Sequence, residues 1–250
     1  MNDLQHKVAV VTGGAGGIGA TICRRLAEAG ATVVVGYYSS EAPARELALS
    51  LPSTTRAHAA IRAPVTDSSA LAHMASEVAS RFGGCDLLVN CAGTTRFVPH
   101  GDLDALDDAL IDQILATNVR GPFAAVRALR PLLRRSGAGL VVNISSIAAV
   151  SAMGSNVMYC ASKAAVDNMT KSLARALAPE IRVLSVSPGL ADTEFVKSMD
   201  IAWRNEQTKR TPLMRLASPE EVADAVIAAA THLRFTTGAV IPVDGGRQLA

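Results

Sequence analysis

The sequence predicts the α/β fold class, with a doubly wound, parallel, seven-stranded sheet and helices on both of its faces. Short β-branched runs alternate with longer helical patterns along all 250 residues. The short runs are nearly all apolar, as is typical of strands that are covered on both faces. Because crossovers between parallel strands are right-handed, the helices can cover both faces of one sheet. No linker, repeat or low-complexity stretch interrupts the alternation, so we expect residues 1–250 to form a single domain.

The predicted strands are short β-branched and aliphatic runs, at residues 7–12, 32–35, 54–61, 86–90, 140–144, 181–187 and 239–243. Arginine and histidine make the third of these the weakest. The predicted helices lie between them, at residues 17–29, 41–51, 67–82, 106–135, 159–177 and 219–231. Asp67 suits the N-cap of the third helix. Gly121-Pro122 should disturb the long fourth helix, because proline has no N–H to donate.

Residues 190–217 do not fit the alternation. They contain mixed charges, the only tryptophan of the chain and no clean periodicity. A long irregular segment in a compact domain is often a lid over a binding site, so we expect a substrate lid at about 190–217. The alternative is a surface excursion without such a role.

The composition argues against several classes of function. The net charge is +2 and charged residues make up 18% of the chain, so we expect no strong field for nucleic acid or an anionic membrane. No segment reaches the roughly 18 apolar residues of a membrane span, and the N-terminus lacks the apolar core of a signal peptide. The four cysteines form no CxxC pair and no zinc-site spacing with histidine, which predicts free thiols, no metal site and a cytoplasmic protein.

A glycine-rich turn follows the first predicted strand and opens the first predicted helix. Glycines let the backbone turn sharply and approach a pyrophosphate without Cβ atoms in between. The N-terminus of the following helix directs free N–H groups and a positive dipole at the phosphates. Because a strand precedes this turn and a helix follows it, the pattern predicts a dinucleotide site of the Rossmann type. The expected contacts are Gly13, Gly16, Gly17, Ile18 and Gly19.

The end of the second predicted strand normally determines whether NAD or NADP is bound. An acidic residue there binds the ribose 2′-hydroxyl and repels a 2′-phosphate. This chain has no carboxylate before Glu41, and serine hydroxyls could donate to a phosphate, although no arginine or lysine lies in the glycine turn or directly after the strand. NADP(H) is therefore favoured over NAD(H). The expected contacts are Tyr37, Tyr38, Ser39 and Ser40.

Tyr159 and Lys163 are four residues apart, which places them on one face of a predicted helix. A free phenol has a pKa of about 10, and a nearby ammonium stabilises the ionised form. A tyrosine in such a setting can donate a proton to a carbonyl oxygen or accept one from an alcohol. The spacing alone is not specific, so the hypothesis depends on its companions.

Polar residues elsewhere strengthen that hypothesis. Ser145 and Ser146 follow the fifth predicted strand, at the edge where doubly wound sheets bind ligands, and a hydroxyl there could hold a substrate oxygen. Asn118 precedes Gly121-Pro122 in the long helix, where a buried amide could position water or backbone. The structural alternatives are a turn residue at a strand end and a polar residue beside a kink.

Together these motifs resemble those of the short-chain dehydrogenase/reductase family, in its compact single-domain branch, over essentially the whole chain. The family's TGxxxGxG loop matches residues 12–19, and its YxxxK motif matches Tyr159 and Lys163. The family serine lies thirteen residues before the tyrosine, which selects Ser146, and the family asparagine matches Asn118. The Pro-Gly pair after the sixth strand and the VDGG near the C-terminus are also family-like.

The resemblance implies an oxidoreductase that moves a hydride between NAD(P)(H) and a carbonyl or secondary alcohol without a metal. Tyr159 would be the general acid/base, and Ser146 would polarise the carbonyl. Lys163 would stabilise the tyrosinate and bind ribose, and Asn118 would hold a water that relays protons. Tyr159 and Lys163 would also touch the cofactor. Further cofactor contacts are implied at Val65, Asn90, Ala92, Gly93, Pro188, Gly189 and Thr193.

Three positions depart from the family pattern. Cys91 stands where the NNAG motif after the fourth strand has its second asparagine. Pro64 replaces the aspartate that usually faces the adenine amino group, which would leave adenine recognition to backbone groups of Val65. Gly16 stands where many NADP-using members carry a basic residue.

The motifs leave the substrate open. The best analogy is with 3-oxoacyl-carrier-protein reductases, whose acidic carrier could dock on Arg134 and Arg135, but Glu180 lies where a basic residue would help more. Sugars, polyols, steroids and small ketones are alternatives. Arg96 would either meet a substrate carboxylate or lie in solvent. With Ser146, the expected substrate contacts are Thr94, Arg96, Met153 and Val157.

A non-catalytic dinucleotide-binding sensor or scaffold is the alternative function. Its expected feature is the loss of one or more of the four implied catalytic residues, the tetrad, and this chain has all four, namely Asn118, Ser146, Tyr159 and Lys163. An epimerase or dehydratase of the longer family branch fits poorly, because those chains carry an added C-terminal substrate region. The resemblance also implies a homotetramer, with a small carbonyl or alcohol substrate and neither nucleic acid nor membrane as a partner.

Overall fold

The computed structural model describes residues 4–249, and across them seven parallel strands form one sheet. Their order is β3-β2-β1-β4-β5-β6-β7, so the chain winds outward from β1 in one direction and then from β4 in the other. This order confirms the predicted doubly wound sheet. The strands are β1 (Val8–Thr12), β2 (Thr32–Tyr37), β3 (Ala59–Arg62), β4 (Leu87–Asn90), β5 (Gly139–Ile144), β6 (Ile181–Pro188) and β7 (Val240–Val243).

Helices lie between the strands. They are α1 (Gly17–Glu28), α2 (Glu41–Ser50), α3 (Ser68–Phe82), α4 (Asp108–Leu115), α5 (Gly121–Arg135), α6 (Ala148–Ser151), α7 (Val157–Leu177), α8 (Glu194–Lys197), α9 (Ile201–Lys209) and α10 (Pro219–Thr231). A π-helical turn at Ala116–Arg120 joins α4 to α5, and Arg247–Leu249 forms a 3₁₀ turn. None of the helices within residues 4–249 has both the length and the apolar character that crossing a membrane requires.

Two apolar core clusters, one on each face of the sheet, hold the helices against the strands. Alternate residues of a strand point to opposite faces. Val11 therefore belongs to the first cluster, with Leu26 of α1, whereas Val10 belongs to the second, with Leu129 of α5. All four side chains are fully buried. Burial of a side chain of this size contributes about 1.5–3 kcal/mol to stability, so the strand alternation fixes which helix covers which face.

The third strand begins at Ala59, later than predicted. The residues before it use side-chain hydrogen bonds where sheet pairing was expected. The Thr54 hydroxyl donates to the Arg56 carbonyl (2.7 Å), and His58 Nδ1 accepts the N–H of Val33 (2.9 Å). Such local side-chain bonds compete with a backbone ladder, which explains the short strand.

The disturbance of the long helix lies one turn earlier than predicted. Gly121 and Pro122 open α5, and the π-helical turn precedes them. The Gly121 N–H donates to the carbonyl of Ala116, five residues back. Pro122 has no N–H, and its ring crowds the carbonyl four residues before it, so the helix widens ahead of the proline. This turn carries the buried Asn118.

Residues 190–217 are more regular than predicted, because they contain α8 and α9. No described side chain of α9 is buried, so its sequence shows no apolar stripe to reveal the helix. A short parallel bridge pairs Ala191 with Ala217, and the N–H of Asp192 donates to the Ala217 carbonyl (2.8 Å). The segment therefore leaves and rejoins the domain at one place.

Met214 generates a prediction about stability. Its φ of +56° is one that L residues rarely adopt, and its side chain is exposed. A left-handed backbone costs an L residue about 1–2 kcal/mol, and replacement by glycine removes that cost. Glycine also makes the unfolded chain more flexible, which lowers stability by about 0.4–1 kcal/mol. Met214→Gly should therefore raise the free energy of unfolding by up to about 1 kcal/mol, a rise of about 2–4 °C in the thermal midpoint.

The neighbouring Leu213→Gly variant is the control for this prediction. Leu213 is also exposed and is not among the positive-φ residues. Its replacement should lower the midpoint, because glycine gains freedom in the unfolded chain and relieves no strain in the folded one. If both variants unfold at lower temperature, the backbone at Met214 is not strained.

Candidate active site

The carboxyl ends of the central strands share one edge of the sheet, and most of the predicted site residues lie there. Strand register places Thr12 beside Asn90, and Asn90 beside Asn143. Thr12 Oγ1 accepts the N–H groups of Cys91 and Ala92 (3.2 and 3.3 Å). These bonds hold the glycine turn after β1 against the loop after β4.

Of the five glycines in the turn, three allow close packing and two border open space. A Cβ on Gly13 would lie 2.8 Å from Ala92 Cα, one on Gly14 would lie 3.0 Å from Cys23 Sγ, and one on Gly19 would collide with the Gly13 carbonyl. A Cβ on Gly16 or Gly17 would meet no atom within 4 Å. Gly16 is the N-cap of α1 without a side-chain hydrogen bond, and the first turn has no acidic residue. The N–H groups and the positive dipole end are therefore available to an anion.

Two predicted cofactor residues have side chains in the first core cluster. Tyr37 is buried in this cluster, and Ile18 is partly buried against it. The Tyr37 carbonyl also accepts the N–H of Ala63 (2.7 Å). The structure therefore does not support a cofactor contact through the Tyr37 side chain, because the strand turns that ring into the core.

The exposed residues after β2 have a basic residue on the neighbouring strand end. Parallel register pairs Tyr37 with Arg62, the last residue of β3, and the Arg62 side chain is exposed. The sequence alone showed no cation near this strand end, because Arg62 is distant along the chain and only strand pairing brings it to the same edge. The exposed residues are Tyr38, Ser39 and Ser40.

Val65 supports the π-helical turn. A Cβ on Gly121 would lie 2.9 Å from Val65 Cγ2, so the absence of a side chain at Gly121 allows close packing. The Pro64 carbonyl accepts the N–H of Asp67 (2.9 Å), and Asp67 caps α3 as predicted. Since the Val65 side chain is buried, its backbone is the part that could meet a cofactor.

The Asn90 side chain bonds across the sheet. Its Nδ2 donates to Asn143 Oδ1 (2.9 Å), and its buried Oδ1 has no hydrogen-bond partner within residues 4–249. Asn90 therefore joins β4 to β5, and its expected place beside the adenosine stays a prediction. Burial raises the pKa of the neighbouring Cys91 thiol to about 11. Ala92 is partly exposed and Gly93 is exposed in the loop that follows.

Tyr159 and Lys163 lie in the first turns of α7, on one face, as their spacing predicts. Lys163 Nζ lies 5.7 Å from the centroid of the Tyr159 ring and donates to the Ile144 carbonyl at the end of β5 (2.9 Å). Lys163 is only 7% exposed, whereas Tyr159 is half-buried. A backbone acceptor thus fixes the ammonium beside the phenol.

Asn156 was not predicted from the sequence, and it fixes the start of α7. Its Oδ1 accepts the N–H of Tyr159 (2.7 Å). Its Nδ2 donates to the Arg96 carbonyl (2.8 Å) and to Thr95 Oγ1 (3.1 Å). An asparagine just before a helix is a preferred N-cap, so the signal was present, but the helix was expected to begin at Tyr159.

The two serines after β5 differ in accessibility. Ser145 is buried, and its hydroxyl donates to the Lys163 carbonyl (3.4 Å). Ser146 is partly exposed, and its Oγ accepts the N–H of Ala148 at the start of α6 (3.2 Å). This difference favours Ser146 as the hydroxyl that a ligand can reach.

Asn118 lies close to Lys163, with Gly93 between them. A Cβ on Gly93 would lie 3.5 Å from Asn118 Oδ1 and 3.9 Å from Lys163 Nζ. Asn118 Oδ1 accepts the N–H of Thr94 (2.8 Å), while Nδ2 donates to the Thr94 carbonyl (3.0 Å) and to Ser162 Oγ (3.1 Å). Because both amide hydrogens are used, a water held at this residue would have to donate to its oxygens.

Buried polar side chains behind Lys163 link β5, α7 and β6. Asn143 Nδ2 donates to Thr170 Oγ1 (2.8 Å), which also forms a hydrogen bond with Ser185 Oγ (2.8 Å). Burial raises the pKa of the Asp167 carboxyl, while the Ser185 hydroxyl and the Lys163 charge oppose that rise. Asp167 and Thr170 share a helix face with Lys163. Because these residues are polar, the apolar periodicity of the α7 sequence does not indicate that this face is buried.

The side chains predicted to contact a substrate differ in how free they are. Met153 and Val157 are 41% and 40% exposed. Arg96, in contrast, donates to the Asp107 carboxylate (3.2 Å) and to the Ala105 carbonyl (2.9 Å). Of its two expected roles, the structure favours the one in solvent, because the Arg96 side chain is exposed and pairs with Asp107, the N-cap of α4.

The turn after β6 packs against the end of β7. Gly189 donates its N–H to the Val243 carbonyl (2.9 Å), and a Cβ on Gly189 would lie 3.0 Å from Asp244 Cα. Pro188 ends β6, and Thr193 caps α8 by accepting a backbone N–H of its first turn (3.4 Å). Thr193 is partly exposed, so its hydroxyl could still meet a ligand.

The geometry suits proton transfer at a ligand oxygen. Tyr159 is accessible, Lys163 is fixed beside it, and Ser146 offers a second hydroxyl at the same sheet edge. A phenol in this setting can act as a general acid or base. Within residues 4–249, no three His, Cys, Asp or Glu side chains are grouped as a metal site would need.

A family model and a known protein match nearly the whole chain. The model described as Enoyl-(Acyl carrier protein) reductase matches residues 13–248. The chain is 39% identical over 246 residues to the protein named as ketoacyl reductase 2 of the granaticin polyketide synthase of Streptomyces violaceoruber. That match covers 97% of this chain and 96% of the relative.

Two solved structures are similar to this chain in fold as well as in sequence. A short-chain dehydrogenase/reductase of Brucella melitensis, named as glucose/ribitol dehydrogenase, has a TM-score of 0.92 and 30% identity, covering 99% of both chains. A gluconate 5-dehydrogenase of Burkholderia cenocepacia, in complex with NADP and tartrate, has a TM-score of 0.88 and 30% identity, covering 99% of this chain and 97% of that one. The chain therefore belongs to the short-chain dehydrogenase/reductase family of oxidoreductases, which bind a nicotinamide dinucleotide.

Proposed function

We propose that this enzyme interconverts a ketone and a secondary alcohol with Tyr159 as the general acid/base. The observation that carries the proposal is the position of the Lys163 ammonium. Its Nζ donates to the Ile144 carbonyl and lies 5.7 Å from the centroid of the Tyr159 ring. In reduction, the Tyr159 phenol donates its proton to the carbonyl oxygen while the carbonyl carbon receives a hydride. The ammonium stabilises the phenolate that remains. In oxidation, the same groups act in reverse.

Ser146 and Asn118 complete the proposed tetrad. The partly exposed Ser146 hydroxyl donates to the substrate oxygen and stabilises the negative charge that develops on it. Asn118 holds the loop after β4 against α7 through Thr94 and Ser162. Its remaining oxygen lone pairs can accept a hydrogen bond from a water, which relays protons through Lys163 to Tyr159.

The space beside Gly16 and Gly17 fits the pyrophosphate of the dinucleotide. A Cβ at either glycine would project into that space without meeting protein, and the α1 N-terminus offers uncapped N–H groups. When bound, the dinucleotide supplies or takes up the hydride at its nicotinamide ring. In this proposal Lys163 would hold the nicotinamide ribose, and Thr193 would hold the carboxamide.

We propose NADP(H) as the preferred dinucleotide. The residues after β2 include no carboxylate before Glu41, so nothing acidic there repels a 2′-phosphate. Ser39 and Ser40 are exposed and can donate hydrogen bonds. The exposed Arg62, beside Tyr37 in the strand register, supplies the positive charge that the sequence pattern lacked.

The names of the relatives and the surface of the protein support different classes of substrate. The name of one relative, ketoacyl reductase, supports a 3-oxoacyl thioester. The names of the two structural neighbours, glucose/ribitol and gluconate 5-dehydrogenase, support polyols and sugar acids. Arg134 lies 2.6 Å from the Glu180 carboxylate, which reduces the charge available for a carrier protein. We therefore favour a free small substrate over one presented on a carrier.

We also propose that residues 190–217 form the substrate lid of a cytoplasmic homotetramer. The Ala191–Ala217 bridge joins the two ends of the segment, which lets α8 and α9 move as one unit. Free thiols suit a reducing compartment. Phe123 on α5 is a partly exposed aromatic side chain that a second copy could cover.

Tyr159→Phe tests the proposed chemistry against a non-catalytic sensor. It should lower kcat by about 10²–10⁴-fold, because general acid/base groups contribute that much, and should change NADPH affinity little. Turnover is followed by NADPH oxidation with a panel of β-ketoacyl thioesters, sugars and ketones, and affinity by NADPH fluorescence. Tyr37→Phe, in the core, is the control and should remain active. A wild-type protein that binds NADPH without turning over any of the panel would support the sensor.

Arg62→Gln tests the dinucleotide preference. The wild type should use NADPH better than NADH, and the variant should lower the ratio of their kcat/KM values by about tenfold or more, since a hydrogen bond to a charged group contributes about 1.5–3 kcal/mol. Arg45→Gln removes another exposed arginine, one that pairs with Glu41, and should leave the ratio unchanged. A wild-type preference for NADH would contradict the proposal.

Gly17→Ala and Gly13→Ala distinguish loss of cofactor space from loss of packing. Both glycines have a positive φ, so either replacement should lower the free energy of unfolding by about 1–2 kcal/mol. A Cβ on Gly17 meets no protein atom and would enter the pyrophosphate space, so Gly17→Ala should also weaken NADPH binding by about tenfold or more. Gly13→Ala, whose Cβ would press on Ala92, should weaken NADPH binding less. Unaltered NADPH affinity in a folded Gly17→Ala variant would place the pyrophosphate elsewhere.

A further inference from the structure

Arg247, in the 3₁₀ turn near the C-terminus, has a buried guanidinium that is only partly bonded. The residue is 7% exposed, and its Nη2 donates to Gln207 Oε1 on α9 (3.3 Å). Its Nη1 is buried and has no hydrogen-bond partner within the described chain. Buried polar groups are nearly always paired, and an unpaired charged donor is costlier than a neutral one. The free Nη1 therefore indicates an acceptor that a ligand would supply.

The charges around Arg247 do not balance. Burial and the nearby Arg210 charge lower the pKa of Arg247, while the Glu206 carboxylate raises it. Glu206 itself lies 3.7 Å from the Arg210 guanidinium, so one carboxylate serves two arginines. The three residues carry a net charge of +1 in a partly buried place. Such an arrangement favours an anion.

Two other arginines, Arg204 on α9 and Arg215 after it, have carboxylates of their own. Arg204 donates to Asp192 (2.7 Å), and Arg215 donates to Glu221 (2.7 Å). These pairs belong to the opposite side of α9, which lines a cavity of about 410 Å³. Arg204 Nε is also buried without a partner within the described chain, but the Arg204 charge is balanced by Asp192. The excess positive charge therefore lies on the side with Arg210 and Arg247.

The same side of α9 adjoins the catalytic tyrosine. Arg210 Nη2 lies 3.7 Å from Met153 Sδ, in the loop between α6 and α7. A Cβ on Gly154, the next residue, would lie 3.0 Å from Tyr159 Cδ1, so this loop packs directly on the tyrosine ring. Residue Arg210 thus links the end of α9 to the tyrosine loop, while Gln207, one turn earlier, links α9 to Arg247 in the C-terminal turn.

We propose that Arg247, assisted by Arg210, binds a carboxylate group of the substrate, so that the enzyme acts on oxo acids and the corresponding hydroxy acids. The proposal rests on the carbonyl chemistry proposed for Tyr159. A guanidinium presents parallel N–H donors that match the two oxygens of a carboxylate. A carboxylate held between the lid and the C-terminal turn would fix the ketone of the same molecule against the tyrosine, and closure of the lid would exclude water from the ion pair.

The test uses pairs of ketones that differ only in charge. These are 4-oxopentanoate with its amide and 5-oxohexanoate with its amide, with acetoacetyl-CoA as a thioester arm. The readout is the ratio of kcat/KM for acid over amide, which is internal to each variant and cancels general loss of activity. The wild type should prefer one of the acids by about tenfold or more, the discrimination expected of a hydrogen bond to a charged group.

Arginine variants locate the carboxylate site. Arg247→Gln should lower the acid-over-amide ratio by about tenfold or more, and Arg247→Lys should lower it less, because the charge stays while the paired donors are lost. Arg210→Gln, at a half-exposed position where folding is not at risk, should also lower the ratio. Arg175→Gln removes an exposed arginine of α7 and is the matched control.

Three outcomes would overturn the proposal. Equal use of acid and amide by an active wild type would remove the carboxylate site and leave the carbonyl chemistry standing. Loss of acetoacetyl-CoA reduction in Arg247→Gln, with the acid-over-amide ratio unaltered, would assign the arginine to the anionic coenzyme. Reduction of none of these compounds by a wild type that binds NADPH would count against the proposed function itself, and the carboxylate proposal would fall with it.

Discussion

The parallel register of β1, β4, β5 and β6 is the constraint on which the site depends. Because these strands end at one edge, residues far apart along the chain become neighbours there. Thr12 can then accept the N–H groups that follow β4, and Asn90 can bond with Asn143. The same register presents the Ile144 carbonyl to Lys163. A slip of one residue between β4 and β5 would break these contacts, and would also turn core valines toward the wrong face.

Lys163 shows how the fold keeps a charge inside the protein. Burial disfavours an ammonium, and three features offset that cost: the bond to the Ile144 carbonyl, the nearby Asp167 carboxyl and the polar side chains behind it. These features lie on strands and on α7, which are packed on two core clusters. The proposed lid differs, since a short bridge between Ala191 and Ala217 joins its ends. This division is the one that the proposed function requires, with the proton-transfer groups on packed elements and the cover joined to the domain at one place.

The sequence predicted the sheet, its doubly wound order and most of the helices, because strand alternation and glycine turns are local signals. It also placed Tyr159 and Lys163 on one helix face. It missed what only pairing in three dimensions reveals, such as Arg62 beside the end of β2 and the engagement of Arg96 by Asp107. It also placed Tyr37 at the cofactor, because a strand-end motif does not show which way a side chain turns.

The four cysteine thiols of the enzyme all have a raised pKa. Cys91 follows β4 next to the glycine turn, and burial raises the pKa of its thiol to about 11. Burial also raises the pKa of the thiols of Cys23, Cys85 and Cys160. Thiolates are the reactive species, so at neutral pH these groups are almost wholly protonated and slow to meet peroxides or alkylating agents. Chemistry that depends on a reactive thiolate is therefore not what these four cysteines suit.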